Sequence, residues 1–136
     1  WKDALVSAVH PPKSDRAFAH LDLAGGTGDI AFRVVEAGGP GVRVTVCDIN
    51  SEMLSVGRER AAERGYLPAM IPLAGGYAEG KGVPKSTFEA YKWVAIAERW
   101  NVLNANLALE QAAVGLSPAE IEKAKAAALA YTFKTK

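Results

Sequence analysis

Apolar and polar positions alternate along two short stretches of the chain, and elsewhere they recur mostly at helical spacing. Residues 18–23 (Phe-Ala-His-Leu-Asp-Leu) read as a short strand. Residues 42–48 (Val-Arg-Val-Thr-Val-Cys-Asp) alternate and are rich in β-branched side chains, which predicts a second strand. Between them, Ile30, Val34 and Ala37 share one side of a helix and Arg33 and Glu36 the other, and the run Gly38-Gly39-Pro40-Gly41 stops it. Asn50 or Ser51 caps a further helix over 52–63 that ends at Gly65, and a short helix over 2–9 is broken by Pro11-Pro12. The order is strand, glycine-rich turn, helix, strand, acidic residue, helix. That is the unit from which doubly wound parallel sheets are built.

Beyond Leu67 the pattern turns helical throughout. Phe88, Tyr91, Val94 and Ala95 fall on one helical face with Trp93, Ile96 and Trp100 beside it, an arrangement read as core packing in preference to a ligand cage. A further helix is expected over 102–114. Ser117-Pro118-Ala119-Glu120 has the cap, the first-position proline and the third-position glutamate of a helix start. An alanine-rich helix should then run from Ile121 to Phe133 with lysines toward its end, as the helix dipole favours. Lys123, Lys125, Lys134 and Lys136 read as a solvated face. The fold class expected is therefore an α/β N-terminal half (residues 1–67), a partial Rossmann-like βαβα with two parallel strands, joined to an all-α segment (residues 68–136).

Composition narrows the chemistry. With 136 residues, 49% apolar, 23% charged and a net charge of +1, the chain has an ordinary globular make-up and no electrostatic case for nucleic acid. One cysteine excludes an internal disulfide framework, and with only two histidines no Cys/His zinc site can be assembled. No apolar run approaches the roughly 18 residues of a membrane span. Cys47 is expected to be a buried strand residue, and His10 and His20 surface or turn residues. All five aspartates precede residue 50, whereas seven of nine lysines follow residue 80, a shift in usage that points to two origins. The opening at Trp1, with no initiator methionine and no signal-peptide pattern, fits a fragment of a cytoplasmic protein.

Ala24-Gly25-Gly26-Thr27-Gly28-Asp29 follows the first strand at once. Glycines let the backbone turn and pass close to a ligand, and free amides at a helix start favour an anion. Asp48 closes the second strand 22 residues after Gly26, where a carboxylate can accept from both hydroxyls of a ribose. A nucleoside with an anionic or zwitterionic tail is implied. The turn fits a dinucleotide pattern poorly, since Ala31 would have to be the third small position. Instead, Leu21-Asp-Leu-Ala-Gly-Gly-Thr-Gly-Asp-Ile-Ala31 and Val46-Cys-Asp-Ile-Asn-Ser-Glu-Met-Leu-Ser-Val-Gly-Arg58 resemble the ubiquinone/menaquinone biosynthesis C-methyltransferases, within the class I S-adenosylmethionine-dependent methyltransferases. The likeness covers residues 1–65. It implies that Asp22, Ala24, Gly25, Gly26, Thr27 and Gly28 form the loop around the amino-acid end of S-adenosylmethionine. Asp48 would hold the ribose, with Asn50 and Met53 near the adenine. The reaction implied is methyl transfer to a ring carbon of a polyprenyl quinol precursor. Ala24 stands where the wider superfamily carries glycine.

After Gly65 the third strand and adenine-fixing acid of that family are not recognisable. Residues 69–101 resemble a Sel-type, tetratricopeptide-like repeat. Gly75 or Gly76, Tyr77, Gly80-Lys-Gly-Val83, Ala90 and Trp93 fill its positions, with Pro72 a departure expected to shorten the first helix. Two parallel strands leave open edges, and a solenoid unit needs neighbours. The functions that follow are an incomplete methyltransferase fragment binding its cofactor weakly, with catalysis by the chain alone not expected; a helical-repeat module for a protein partner; or a chimeric chain without activity. An open sheet edge also offers a route to a homodimer.

Overall fold

A computed structural model describes residues 1–134. It contains α1 (Lys2–Val9), β1 (Phe18–Leu23), α2 (Asp29–Ala37), β2 (Val42–Cys47), α3 (Ser51–Glu63), a 3-10 turn (Leu67–Ala69), α4 (Met70–Glu79), α5 (Thr87–Arg99), α6 (Ala105–Ala112) and α7 (Pro118–Ala130). The chain divides into two compact units, Trp1–Gly57 and Arg58–Lys136. The division falls inside α3, not after Leu67.

In the first unit β1 and β2 pair in parallel, in register from Phe18 opposite Val42 to Leu23 opposite Cys47, with α2 as the crossover such pairing requires. Among the described residues the sheet has these two strands. The pleat sorts their side chains. Phe18, Val42 and Val44 pack with Val6, Val9, Ile30, Val34 and Ala37 from α1 and α2, and Val34 is wholly buried. Ion pairs Lys2–Asp29 and Arg33–Asp3 tie α1 to α2. Both remain open to solvent, with side chains 40% exposed or more, and contribute at most about 1 kcal/mol each.

The opposite face, carrying Ala19, Leu21, Leu23, Arg43, Thr45 and Cys47, stays exposed. Cys47 is thus an exposed thiol, contrary to the sequence expectation. The period-2 pattern does put it on a face of the sheet, but that face is open.

The second unit is helical, with α5 packed against α4, α6 and α7. Its inward side is Ala90, Tyr91, Trp93, Val94, Ile96 and Ala97, all buried, while Trp100 lies about half exposed. Pro72 falls in the first turn of α4, where its missing N–H is no loss. Val83 lies 3.6 Å from where a β-carbon on Gly76 would stand, whereas Gly75 faces open space. The Ser117–Glu120 capping box forms as expected.

The alanine-rich helix ends at Ala130, three residues before Phe133, and its last turn carries no basic residue. Arg99 of α5 takes its terminal carbonyls instead, donating to Ala128 at 3.2 Å and Leu129 at 3.1 Å. Tyr131 is extended, and the chain lays Phe133 on Gly65. Ring pairs Trp93–Tyr131, Trp100–Phe133 and Tyr131–Phe133 fix this segment, with centroids 5.2, 5.3 and 5.9 Å apart. Lys134 donates its backbone N–H to the Glu63 carbonyl and its ammonium to the Glu63 carboxylate, both at 2.7 Å. Lys134 is therefore paired and not simply solvated, while Lys136 lies outside the described residues.

Tyr77 of α4 donates its hydroxyl to Glu59 at 3.0 Å. Burial pushes this phenol well above its ordinary range, helped by the bond to Glu59 and by the charges of Glu59, Glu89 and Glu63. Because folding raises its pKa, the contribution to stability is full at neutral pH and is lost as pH climbs past the ordinary phenol value of about 10. Tyr77→Phe should cost about 1 kcal/mol at neutral pH through the lost hydrogen bond. It should also lose stability less steeply than the parent above pH ~10 in urea unfolding at stepped pH. Identical alkaline slopes would contradict this assignment.

Candidate functional site

β1 and β2 end side by side, and the segment leaving β1 folds back over their tips. Its turns are set by left-handed residues at Ala24 (φ 54°), Gly26 (φ 54°) and Gly28 (φ 76°). Left-handed backbone at Ala24 carries a cost that glycine would avoid. Gly25 N–H donates to the Cys47 carbonyl at 3.2 Å and Gly28 N–H to the Gly25 carbonyl at 2.9 Å. Gly28 then caps α2, whose first-turn amides open toward the loop.

Asp48 holds this arrangement together. One carboxylate oxygen accepts from Gly26 N–H at 2.8 Å and the other from Asn50 N–H at 2.8 Å. A carboxylate offers about four acceptor positions, so two remain for hydroxyl donors. Asn50 in turn uses its side-chain oxygen to cap α3, accepting from Glu52 N–H at 3.0 Å and Met53 N–H at 3.1 Å. Between the two candidate caps, Asn50 and Ser51, Asn50 fills the role. Its side chain is committed to the helix, while Met53, one turn on, covers the loop. The Met53 methyl lies 2.6 Å from where a β-carbon on Gly26 would stand.

Asp22 lies beneath the loop. A β-carbon on Gly25 would sit 2.8 Å from the Asp22 carboxyl and 2.7 Å from Val46. One Asp22 oxygen is buried and has no hydrogen-bond partner among the described residues. Such an orphan acceptor costs on the order of 1–3 kcal/mol until a donor reaches it. Thr27 is half-buried on the loop, and Gly57 of α3 approaches its backbone, a β-carbon there standing 3.4 Å from the Thr27 carbonyl. The structure thus gathers Asp22, Ala24, Gly25, Gly26, Thr27, Gly28, Asp48, Asn50 and Met53 around one end of the sheet. Sequence reading missed Val46 and Gly57. A glycine inside an otherwise helical stretch was the available sign of close backbone approach at the second. His10 is exposed and His20 half-buried, and neither belongs to this cluster.

The family model described as "ubiE/COQ5 methyltransferase family" matches residues 1–114. The ubiquinone/menaquinone biosynthesis C-methyltransferase UbiE of Bradyrhizobium diazoefficiens is 50% identical over 118 residues, 87% of this chain and 46% of that protein. The protein of the same name from Rhodopseudomonas palustris is 45% identical over 118 residues, 87% and 46% of the two chains. That from Methylobacterium nodulans is 53% identical over 91 residues, 67% and 35%. The chain spans about half the length, or less, of these curated relatives. No solved structure matches it. The family match runs past Gly65 and across residues 69–101, so the likeness to a Sel-type repeat finds no support, although helices do form there.

Gly25→Ala forces a β-carbon into Val46 and the Asp22 carboxyl, and should cost about 1–3 kcal/mol in urea unfolding. Gly75→Ala, with open space around it inside α4, should stabilise by about 0.5–1 kcal/mol. Equal effects of the two substitutions would contradict the packing described.

Proposed function

The chain belongs to the ubiE/COQ5 methyltransferase family, and on that premise we propose that its loop and Asp48 hold S-adenosylmethionine, the cofactor on which the family depends. The observation that carries this reading is the Asp48 carboxylate. It is fixed at the tip of β2 by the amides of Gly26 and Asn50, with acceptor capacity left for a ribose. Two further features fit the same ligand. The orphan oxygen of Asp22 is an acceptor suited to an ammonium group, and the amides entering α2 suit a carboxylate, which together describe an amino-acid end. Gly25 and Gly26 leave free the space that side chains would fill. Met53 supplies an apolar wall beside Asp48, in keeping with a place near the adenine.

When bound, the cofactor supplies an electrophilic methyl group. This chain's part is to hold and orient it, since transfer to an electron-rich ring carbon depends chiefly on placement. The acceptor proposed is a polyprenyl quinol precursor, in line with the names of the relatives. With two strands among the described residues, the chain forms part of a cofactor pocket, and each hydrogen bond not made removes roughly 0.5–1.5 kcal/mol of affinity. Weak binding is therefore expected, with turnover by the chain alone not expected.

Calorimetric titration with S-adenosylhomocysteine tests this. Binding in the range of about 0.1–1 mM is expected, weakened at least tenfold by Asp48→Ala and by the isosteric Asp22→Asn. Absence of heat at millimolar ligand, or binding indifferent to both substitutions, would overturn the proposal.

A further inference from the structure

The two methionines of the chain are placed in opposite ways. Met70 is fully buried in the second unit, whereas Met53 is 41% exposed at the rim of the cofactor loop. Met53 also lies against the loop backbone. Its methyl stands 2.6 Å, and its sulfur 3.8 Å, from the position a Gly26 β-carbon would take, and an Asp48 carboxylate oxygen lies 3.8 Å from that same position. An accessible thioether thus touches the one residue whose N–H latches the loop to Asp48 at 2.8 Å.

We propose that Met53 is an oxidation-sensitive cover of the glycine loop, whose conversion to the sulfoxide loosens the Gly26–Asp48 latch and weakens binding at the site. The step is a transfer of one oxygen atom from hydrogen peroxide. The O–O bond breaks and an S–O bond forms, the thioether is oxidised by two electrons, and the peroxide leaves as water. The product is polar and carries a strong acceptor. The Gly26 N–H is already given to Asp48, and Asp48 itself is acceptor-only. The sulfoxide therefore competes with Asp48 for that N–H or leaves the loop for water, and either course removes the apolar wall. The effect on affinity rests on the cofactor reading above, while the effect on the latch does not.

The chain and its Met53→Leu variant are treated with hydrogen peroxide and followed in three ways: peptide mass spectrometry, amide exchange at Gly26 by nuclear magnetic resonance, and calorimetry with S-adenosylhomocysteine. Met53 should gain oxygen at least about tenfold faster than Met70, as its exposure dictates. In the oxidised parent, Gly26 exchange should quicken and affinity should fall, each by about tenfold, and methionine sulfoxide reductase should restore both. Whatever the starting affinity of Met53→Leu, peroxide should leave it and the variant's Gly26 exchange unchanged. Equal oxidation of Met70, an unmoved readout after full oxidation of Met53, or a variant that responds like the parent would each overturn the inference. If the untreated chain takes up no ligand, the cofactor reading fails by itself and Gly26 exchange alone decides: acceleration supports the latch, and no change refutes it.

Discussion

A single carboxylate organises the N-terminal unit around its candidate site. Asp48 receives the Gly26 amide on one oxygen and the Asn50 amide on the other, so the glycine loop, the tip of β2 and the entry to α3 share one anchor. The loop's left-handed residues are held besides by Gly25 N–H on the Cys47 carbonyl and Gly28 N–H on the Gly25 carbonyl. A backbone that alternates into the left-handed region keeps one shape only when outside partners fix it. Asn50 extends the chain of dependence, because its amide steadies Asp48 while its side chain caps α3 and so sets where Met53 falls.

Much of this unit was legible in the sequence because two periodicities and a few punctuating residues agree. Period-2 alternation marks β1 and β2, and β1 is placed to the residue. Glycine after a strand marks the loop, and an acid at the end of the next strand marks its partner. What could not be read was coverage. The same alternation that gives Cys47 a face of the sheet does not say whether anything packs there, and Leu21, Leu23 and Cys47 stay exposed. The orphan oxygen of Asp22 and the approach of Gly57 are likewise matters of three-dimensional contact.

In the second unit the helices were legible and their ends less so. Ser117 announces the start of α7 through its capping box. Its end was misplaced because Tyr131 and Phe133 continue an apolar rhythm that looks helical, though their rings pack on Trp93, Trp100 and Gly65 from extended backbone. Descent was harder still. Glycine, tyrosine and tryptophan at suggestive intervals resemble a repeat by the ordinary needs of a helical hairpin, namely a tight turn and aromatic filling. The family match instead carries on through residue 114.

The fastening of Lys134 to Glu63 has a practical side. The last turn of α3 has its carbonyl and carboxylate engaged by a residue that follows it by 71 positions. Substitutions at Lys134 or Phe133 therefore act on the last turn of α3 and on Gly65 just beyond it. A label attached at Lys134 or Phe133 is thus a structural perturbation in its own right, and one on an exposed surface such as Gly75 is the gentler choice.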